Sequence, residues 1–264
     1  MPTSSTRRGL LAKGLPLLAV GVALLGLSGA AKSQTPQTVT VSAAASLTNV
    51  MKDLGSRHEA ANPGLKLQFN FAASGVLIQQ IAQGAPVDLF ISADEETITR
   101  GIEQKLLLPD SRKDIAANQV VLIVPATGGV PVQALADLAG APVKRIAVGK
   151  LATVPVGRYT KQSLDKAGLW ASLEPKFVYA DSVRQVLDYV ARGEVEAGFV
   201  YSTDAALLPT QVKRVMLVDG HAPVRYPAAL TAEGRQKAAA ADFLAYVLSP
   251  AGQDVLAKAG FGKP

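Results

Sequence analysis

Two stretches, Val39-Thr-Val-Ser-Ala-Ala-Ala-Ser-Leu-Thr-Asn-Val-Met51 and Leu67-Gln-Phe-Asn-Phe-Ala-Ala-Ser-Gly-Val-Leu-Ile-Gln-Gln-Ile81, each run from an apolar strand pattern into a helical one with a serine at the junction. A helix N-terminus leaves its first N–H groups unpaired and carries about half a positive charge, so an anion can sit there without help from lysine or arginine. Ser46 and Ser74 can add hydroxyl donors. Each serine taken alone also reads as an ordinary N-cap serving its own helix.

Outward from these stretches the pattern is strand then helix, repeatedly. Val39 to Ser42, Leu65 to Phe71 and Val87 to Ser92 read as strands, and Ser46 to His58 and Gly75 to Gln83 as the helices between them. Such βαβ units predict parallel sheets covered by helices, with ligands beyond the carboxyl ends of the strands. Asn118 to Pro125 is a continuously apolar strand pattern followed by a loop-like Ala-Thr-Gly-Gly-Val-Pro, and we expect the chain to cross to a second lobe there.

A second series follows, with strands at Arg145 to Gly149, Lys176 to Tyr179 and Ala197 to Tyr201. Its helices are expected at Val156 to Ala167, with Pro155 in the first turn where a missing N–H is harmless, and at Ser182 to Ala191, opened by the capping pair Asp181 and Ser182. Val212 to Asp219 reads as a return strand, and Ala238 to Leu248 and Pro250 to Ala259 as helices packing back on the first lobe. The expected architecture is α/β and two-lobed: a signal peptide over 1–31, lobe 1 over 32–117 and 220–264, and lobe 2 over 118–219, with the ligand in the cleft between lobes.

Arg7, Arg8 and Lys13 precede an apolar run from Leu15 to Leu27 and small residues ending at Ala30 or Ala31, the pattern of a cleaved export signal. Arg7-Arg8 fits a twin-arginine route as well as general secretion. The chain contains no cysteine, so it has neither disulfides nor a lipid-bearing cysteine, and the expected location is the periplasm. The net charge of +6 falls to +3 once Arg7, Arg8 and Lys13 are removed. Basic residues are scattered singly, which argues against a nucleic-acid partner.

Enzymatic readings find little support. Ser163-Leu-Asp-Lys166 has Ser-x-x-Lys spacing without the partner motifs of a penicillin-binding nucleophile, and reads more simply as a solvent-facing helix stretch. His58 and His221 stand alone and far apart, and no phosphate loop or dinucleotide fingerprint is present. Asp88 and Asp94 near a strand end are better read as loop-capping groups than as catalytic ones.

Seven pieces occur in order along the chain: Val41-Ser-Ala-Ala-Ala-Ser-Leu-Thr-Asn49, Phe71-Ala-Ala-Ser-Gly75, Gly84-Ala-Pro-Val-Asp-Leu-Phe-Ile-Ser-Ala-Asp94, Arg145-Ile-Ala-Val-Gly149, Val154-Pro-Val-Gly157, Asp181-Ser-Val-Arg184 and Gly198-Phe-Val-Tyr201. Together they resemble the periplasmic molybdate-binding proteins of ABC-type importers. The resemblance implies a receptor, not an enzyme, without cofactor, that takes molybdate and, by equal charge and similar size, tungstate. It implies that the hydroxyls of Ser46, Ser74 and Tyr201 and the backbone N–H groups of Val156 and Val183 hold the oxygens of the anion, with no direct ligand to the metal. It also implies delivery to an inner-membrane ABC permease, and we expect a monomer.

Such a set contains donors and no carboxylate, so a protonated anion such as hydrogen phosphate buries an unpaired O–H at roughly 1–3 kcal/mol. Sulfate lacks that proton and must be excluded by size. A receptor for sulfate or another tetrahedral oxyanion is the main alternative, and a secreted serine hydrolase using Ser46 or Ser163 the alternative from another class. The chain departs from the family's pattern at Gly149-Lys-Leu-Ala-Thr153, where an Asp-Pro pair is common, and Lys150 is expected to be solvated near the cleft mouth.

Overall fold

The computed structural model describes residues 37–234 and 238–264. The export-signal pattern over 1–31 lies outside the described residues. Among the described residues, ten strands form two five-stranded sheets. The strands are β1 (Gln37–Ala44), β2 (Leu65–Ala72), β3 (Leu89–Ile91), β4 (Lys113–Asn118), β5 (Val120–Pro125), β6 (Ile146–Gly149), β7 (Phe177–Ala180), β8 (Ala197–Tyr201), β9 (Val212–Leu217) and β10 (Val224–Leu230). The helices are α1 (Thr48–Ala61), α2 (Ser74–Ala82), α3 (Glu95–Glu103), α4 (Pro155–Lys166), α5 (Trp170–Leu173), α6 (Val183–Ala191), α7 (Ser202–Ala205), α8 (Ala238–Leu248) and α9 (Pro250–Lys258).

The first sheet has the order β2-β1-β3-β10-β4 and the second β7-β6-β8-β5-β9. Each has a parallel trio, β2-β1-β3 and β7-β6-β8, built by βαβ units. The sheets are nevertheless mixed, which corrects the expectation of parallel sheets. β10 runs antiparallel to both β3 and β4, and β5 antiparallel to both β8 and β9. The cause is where the chain changes sheet. Val120 starts β5 opposite Tyr201, the last residue of β8, so β5 enters at the carboxyl edge of the parallel strands and must run back against them.

Two short connections join the sheets: Gln119 between β4 and β5, and residues 218–223 between β9 and β10. The apolar run from Asn118 is thus not one strand, because Asn118 pairs with Val224 in the first sheet while Val120 pairs in the second. The expected return strand at Val212 to Asp219 is β9, an edge of the second sheet, and β10 is what re-enters the first. α8 and α9 pack on α1, where His58 stacks on Tyr246 at 4.9 Å and sits 5.4 Å from Phe243. That burial, only weakly opposed by Asp242, holds the His58 pKa below its usual value.

The cores explain the sequence pattern. Val120, Val121, Leu122 and Ile123 of β5 are fully buried, as are Ile146, Ala147 and Val148 of β6, because helices cover both faces of these strands.

Candidate functional site

The strand-to-helix junctions of both sheets converge on one small cavity. From the first sheet come Ala44 at the end of β1 with Ala45 and Ser46 after it, Ala73 and Ser74 after β2, and Ala93 after β3. From the second come Val154, Pro155 and Val156 after β6, Val183 after β7 and Tyr201 at the end of β8. All five residues singled out in the sequence, Ser46, Ser74, Val156, Val183 and Tyr201, therefore line the same space. It lies at the carboxyl ends of both parallel trios, where helix N-termini point.

Neither serine is a side-chain cap. Ser46 lies inside a 3₁₀ turn, Ala45–Leu47, that precedes α1, and Ser74 is the first residue of α2, whose N-cap Ala73 has no side-chain cap bond. Ser74 Oγ instead accepts the Ala93 N–H at 3.0 Å, which leaves its own proton free to donate. Ser46 Oγ lies 3.0 Å from the Tyr226 hydroxyl. Both serines are buried.

Val156 is the second residue of α4 and Val183 the first of α6, so helix geometry gives their N–H groups no acceptor. Their side chains are buried in the core, as valines are. Pro155 stands in the first turn of α4 as expected. Of the expected capping pair only Ser182 caps α6, accepting the Gln185 N–H at 3.2 Å, while Asp181 is exposed and pairs with Lys150. Lys150 is exposed, as expected, and its ammonium also pairs with Asp181.

Tyr201 is the unusual member. It is 1% exposed and its hydroxyl has no hydrogen-bond partner, although a buried hydroxyl without one costs on the order of 1–3 kcal/mol. Burial, reinforced by Tyr226 and nearby carboxylates, holds its pKa well above the usual tyrosine value, so it stays a neutral donor. No charged side chain lines the cavity. Its alanines let backbone and hydroxyl donors approach a small ligand closely.

The two lobes touch around this cavity through residues the sequence did not single out for that role. Gly75 N–H donates to the Thr153 carbonyl at 2.9 Å. Arg158 Nε donates to Asp94 Oδ2 at 2.9 Å, and its Nη2 also reaches Asp94 and, at 3.0 Å, Thr97 Oγ1. Arg184 of α6 donates to the Ser46 carbonyl and to Asn49 Oδ1, both at 3.0 Å. Its Nε is 2.7 Å from Asp204 Oδ1, a charge contact whose angle is not that of a hydrogen bond. Asp204 is fully buried, and burial pushes its pKa up to about 6 against the opposing pull of Arg184.

The remaining candidates have structural work. Asp88 Oδ2 accepts the Thr40 N–H at 2.8 Å, and Asp94 caps α3 by accepting the Thr97 N–H at 3.2 Å, so both are capping groups as read. Ser163 is buried and donates to the Tyr159 carbonyl at 3.0 Å, which corrects its reading as solvent-facing and ties up its proton. Among the described residues no cluster of His, Cys, Asp or Glu could hold a metal ion.

Residues 39–262 match the model of the bacterial extracellular solute-binding proteins. The molybdate-binding protein ModA of Haemophilus influenzae is 35% identical over 91% of this chain and 94% of its own. That of Escherichia coli is 35% identical over 84% and 88%. The solved periplasmic molybdate-binding protein of Azotobacter vinelandii superposes with a TM-score of 0.73 at 25% identity, over 86% of this chain and 99% of that one. With a match running through both sheets and every junction at the cavity, the chain belongs to the bacterial extracellular solute-binding protein family.

Proposed function

We propose that this protein is a periplasmic receptor that captures molybdate, closes around it, and delivers it to an ABC-type membrane importer. Its family is one of solute receptors rather than enzymes, and relatives that bear the name molybdate-binding protein cover nearly the whole chain. In this reading Ser46, Ser74 and Tyr201 donate through their hydroxyls, and Val156 and Val183 through their backbone N–H groups, to the oxygens of one anion. Tungstate binds by the same contacts. The lobes are 32–117 with 220–264, and 118–219; residues 1–31 are removed on export by the secretory or twin-arginine route, and the mature protein acts as a monomer.

The observation that carries the reading is the Tyr201 hydroxyl, buried without a partner in a cavity where helix N-termini of both lobes meet. Donors without acceptors suit a fully deprotonated oxyanion, and the absence of a lining carboxylate disfavours hydrogen phosphate. Titration calorimetry with molybdate, tungstate, sulfate and phosphate is the test. Molybdate and tungstate are expected to bind tightly and sulfate and phosphate far more weakly. Equal binding of sulfate would leave an oxyanion receptor but remove molybdate as its ligand.

A further inference from the structure

Behind Ser46 a short chain of polar groups, buried at Tyr226 and half-buried at Asn118, runs to the crossover between lobes. Asn118, the last residue of β4, has its Oδ1 2.9 Å from the Gln119 backbone N–H. A backbone N–H can only donate, so this contact fixes the orientation of the amide: Oδ1 accepts there and Nδ2 must donate elsewhere. Nδ2 lies 2.8 Å from Thr203 Oγ1 and 3.1 Å from the Tyr226 hydroxyl. The Tyr226 oxygen is therefore an acceptor from Asn118, and its single proton is left for its other partner, Ser46 Oγ at 3.0 Å. Donation to Ser46 is what satisfies that buried proton, and with Tyr226 donating, Ser46 Oγ accepts and its own proton is free for the cavity it lines.

We propose that Asn118 and Tyr226 form a relay that fixes the Ser46 hydroxyl as a donor into the cavity, and that this fixed polarity selects deprotonated oxyanions over protonated ones. The proposal rests on the molybdate-receptor reading for its ligand. A serine hydroxyl is ambivalent, able to donate to a bare oxygen or accept from an O–H. Left free, Ser46 could turn its lone pairs to hydrogen phosphate and relieve the mismatch that should exclude it. With one lone pair occupied by the Tyr226 proton, the Ser46 proton cannot turn back toward Tyr226 and is held for the cavity, which favours donation to a bare oxygen over acceptance from an O–H. Ser74 is locked the same way by a simpler device, the Ala93 N–H. Tyr226 is well placed to hold the polarity: it is fully buried, and its ring is fixed edge-on between Tyr201 at 5.9 Å and Phe261 at 5.5 Å.

Tyr226 touches Ser46 and not the cavity, so it is a positioning residue, and a double-mutant cycle separates that role from general packing. Sodium molybdate is titrated into the purified protein, Tyr226→Phe, Ser46→Ala and the double variant, with thermal melting checked for each. Tyr226→Phe is expected to weaken molybdate about tenfold, yet to add less than about twofold once Ser46 is alanine. Losses that simply multiply in the double variant, or unchanged affinity in Tyr226→Phe, overturn the relay. Competition with phosphate reads the selectivity: the molybdate-to-phosphate ratio should narrow in Tyr226→Phe, and an unchanged ratio overturns the selecting role. Asn118→Ala, expected to give a smaller loss that also vanishes in the Ser46→Ala background, serves if Tyr226→Phe folds poorly. Should the unsubstituted protein bind sulfate and not molybdate, the ligand assignment fails, and the same cycle run with sulfate still decides the relay.

Discussion

The backbone N–H of Gly75 donates to the carbonyl of Thr153 at 2.9 Å, joining the start of α2 in one lobe to the loop before α4 in the other. A Cβ on Gly75 would stand 2.6 Å from the Thr153 Cα, so only glycine lets the two helix N-termini come this close. Gly75 sits beside Ser74, and Thr153 is three residues before Val156. Close approach here is what brings donors of both lobes to one cavity.

Gly75→Ala therefore separates stability from binding. In a helix, alanine is favoured over glycine by up to about 1 kcal/mol, so an unliganded, open protein should melt no lower than the original. Closure has to push the new methyl group into backbone, so molybdate affinity should drop at least about tenfold. Calorimetry and thermal melting on the same sample check the opposite signs. A parallel fall of both would mean that Gly75 serves the fold and not closure.

The two serines should respond alike. Loss of a charge-assisted donor costs about 1.5–3 kcal/mol, and both Ser46→Ala and Ser74→Ala should weaken molybdate by that order. Each removal also strands a buried donor, the Ala93 N–H in Ser74→Ala and the Tyr226 hydroxyl in Ser46→Ala, so both should lower the melting temperature of the unliganded protein as well. Unchanged affinity in both variants would remove these residues from the site.

The arrangement that makes these predictions possible was partly legible in the sequence. Ser46 and Ser74 were readable from local patterns, because strand-to-helix junctions in parallel units must fall on one edge of a sheet, whereas Val156, Val183 and Tyr201 were marked out only by the family resemblance. The partners across the lobes were not legible, since Asp94 and Arg158 are 64 positions apart and neither residue's neighbourhood announces the other. Asp94 was readable only as a cap, which it also is. β10 escaped for a different reason: Val224 to Leu230 contains Pro227 and follows another proline, Pro223, a pattern that argues against a central strand, yet β10 stands between β3 and β4. The register shift at Tyr226 and Pro227 is how the sheet accommodates that proline. The same distance in sequence hid Tyr226 from Ser46, 180 positions away.

The Arg158–Asp94 pair should act as a latch. Both side chains are mostly buried where the lobes meet, at 12% and 6% exposure, and an ion pair that shielded is far stronger than a surface one. Opening hydrates both groups, which offsets the attraction gained on closure, so the pair's weight lies in what its loss leaves: a carboxylate that must be buried alone when the lobes close. Arg158→Met keeps the aliphatic stem and removes the charge, leaving Asp94 to be desolvated on closure without its partner. Molybdate affinity should fall by about 2 kcal/mol, less than the 3–5 kcal/mol of a fully buried broken pair, because water hydrates Asp94 in the open state. Small-angle scattering should show the variant staying extended at molybdate concentrations that compact the original. Compaction at the same concentration would dismiss the latch.

Val156 provides a test of backbone coordination. Val156→Ala keeps the N–H and should change molybdate binding little, while costing stability as a fully buried side chain is trimmed. Val156→Pro deletes the N–H at a first-turn position, where α4 already tolerates proline at 155. Binding should fall at least about tenfold further than with alanine. Equal losses in the two folded variants would argue that the amide of Val156 does not touch the ligand.

Asp204 should leave a signature in the pH dependence of stability. It is fully buried within α7, accepts the Tyr201 N–H at 3.3 Å and faces Arg184, and burial raises its pKa from 3.8 to about 6. Between those two values the folded form holds a proton that the unfolded chain has lost, so the folded state binds more protons and this group favours folding increasingly as pH falls. Its contribution is complete below the unfolded value and is lost as pH rises through about 6. Asp204→Asn removes the titration while keeping the shape. Between pH 7 and pH 5 the original protein should therefore gain stability relative to the Asn variant, at no more than about 1.4 kcal/mol per pH unit. Denaturant unfolding of both proteins at closely spaced pH values measures the difference. A difference that stays flat, or that shrinks on acidification, would show that the carboxyl group is not held protonated in this range and that Arg184 outweighs burial.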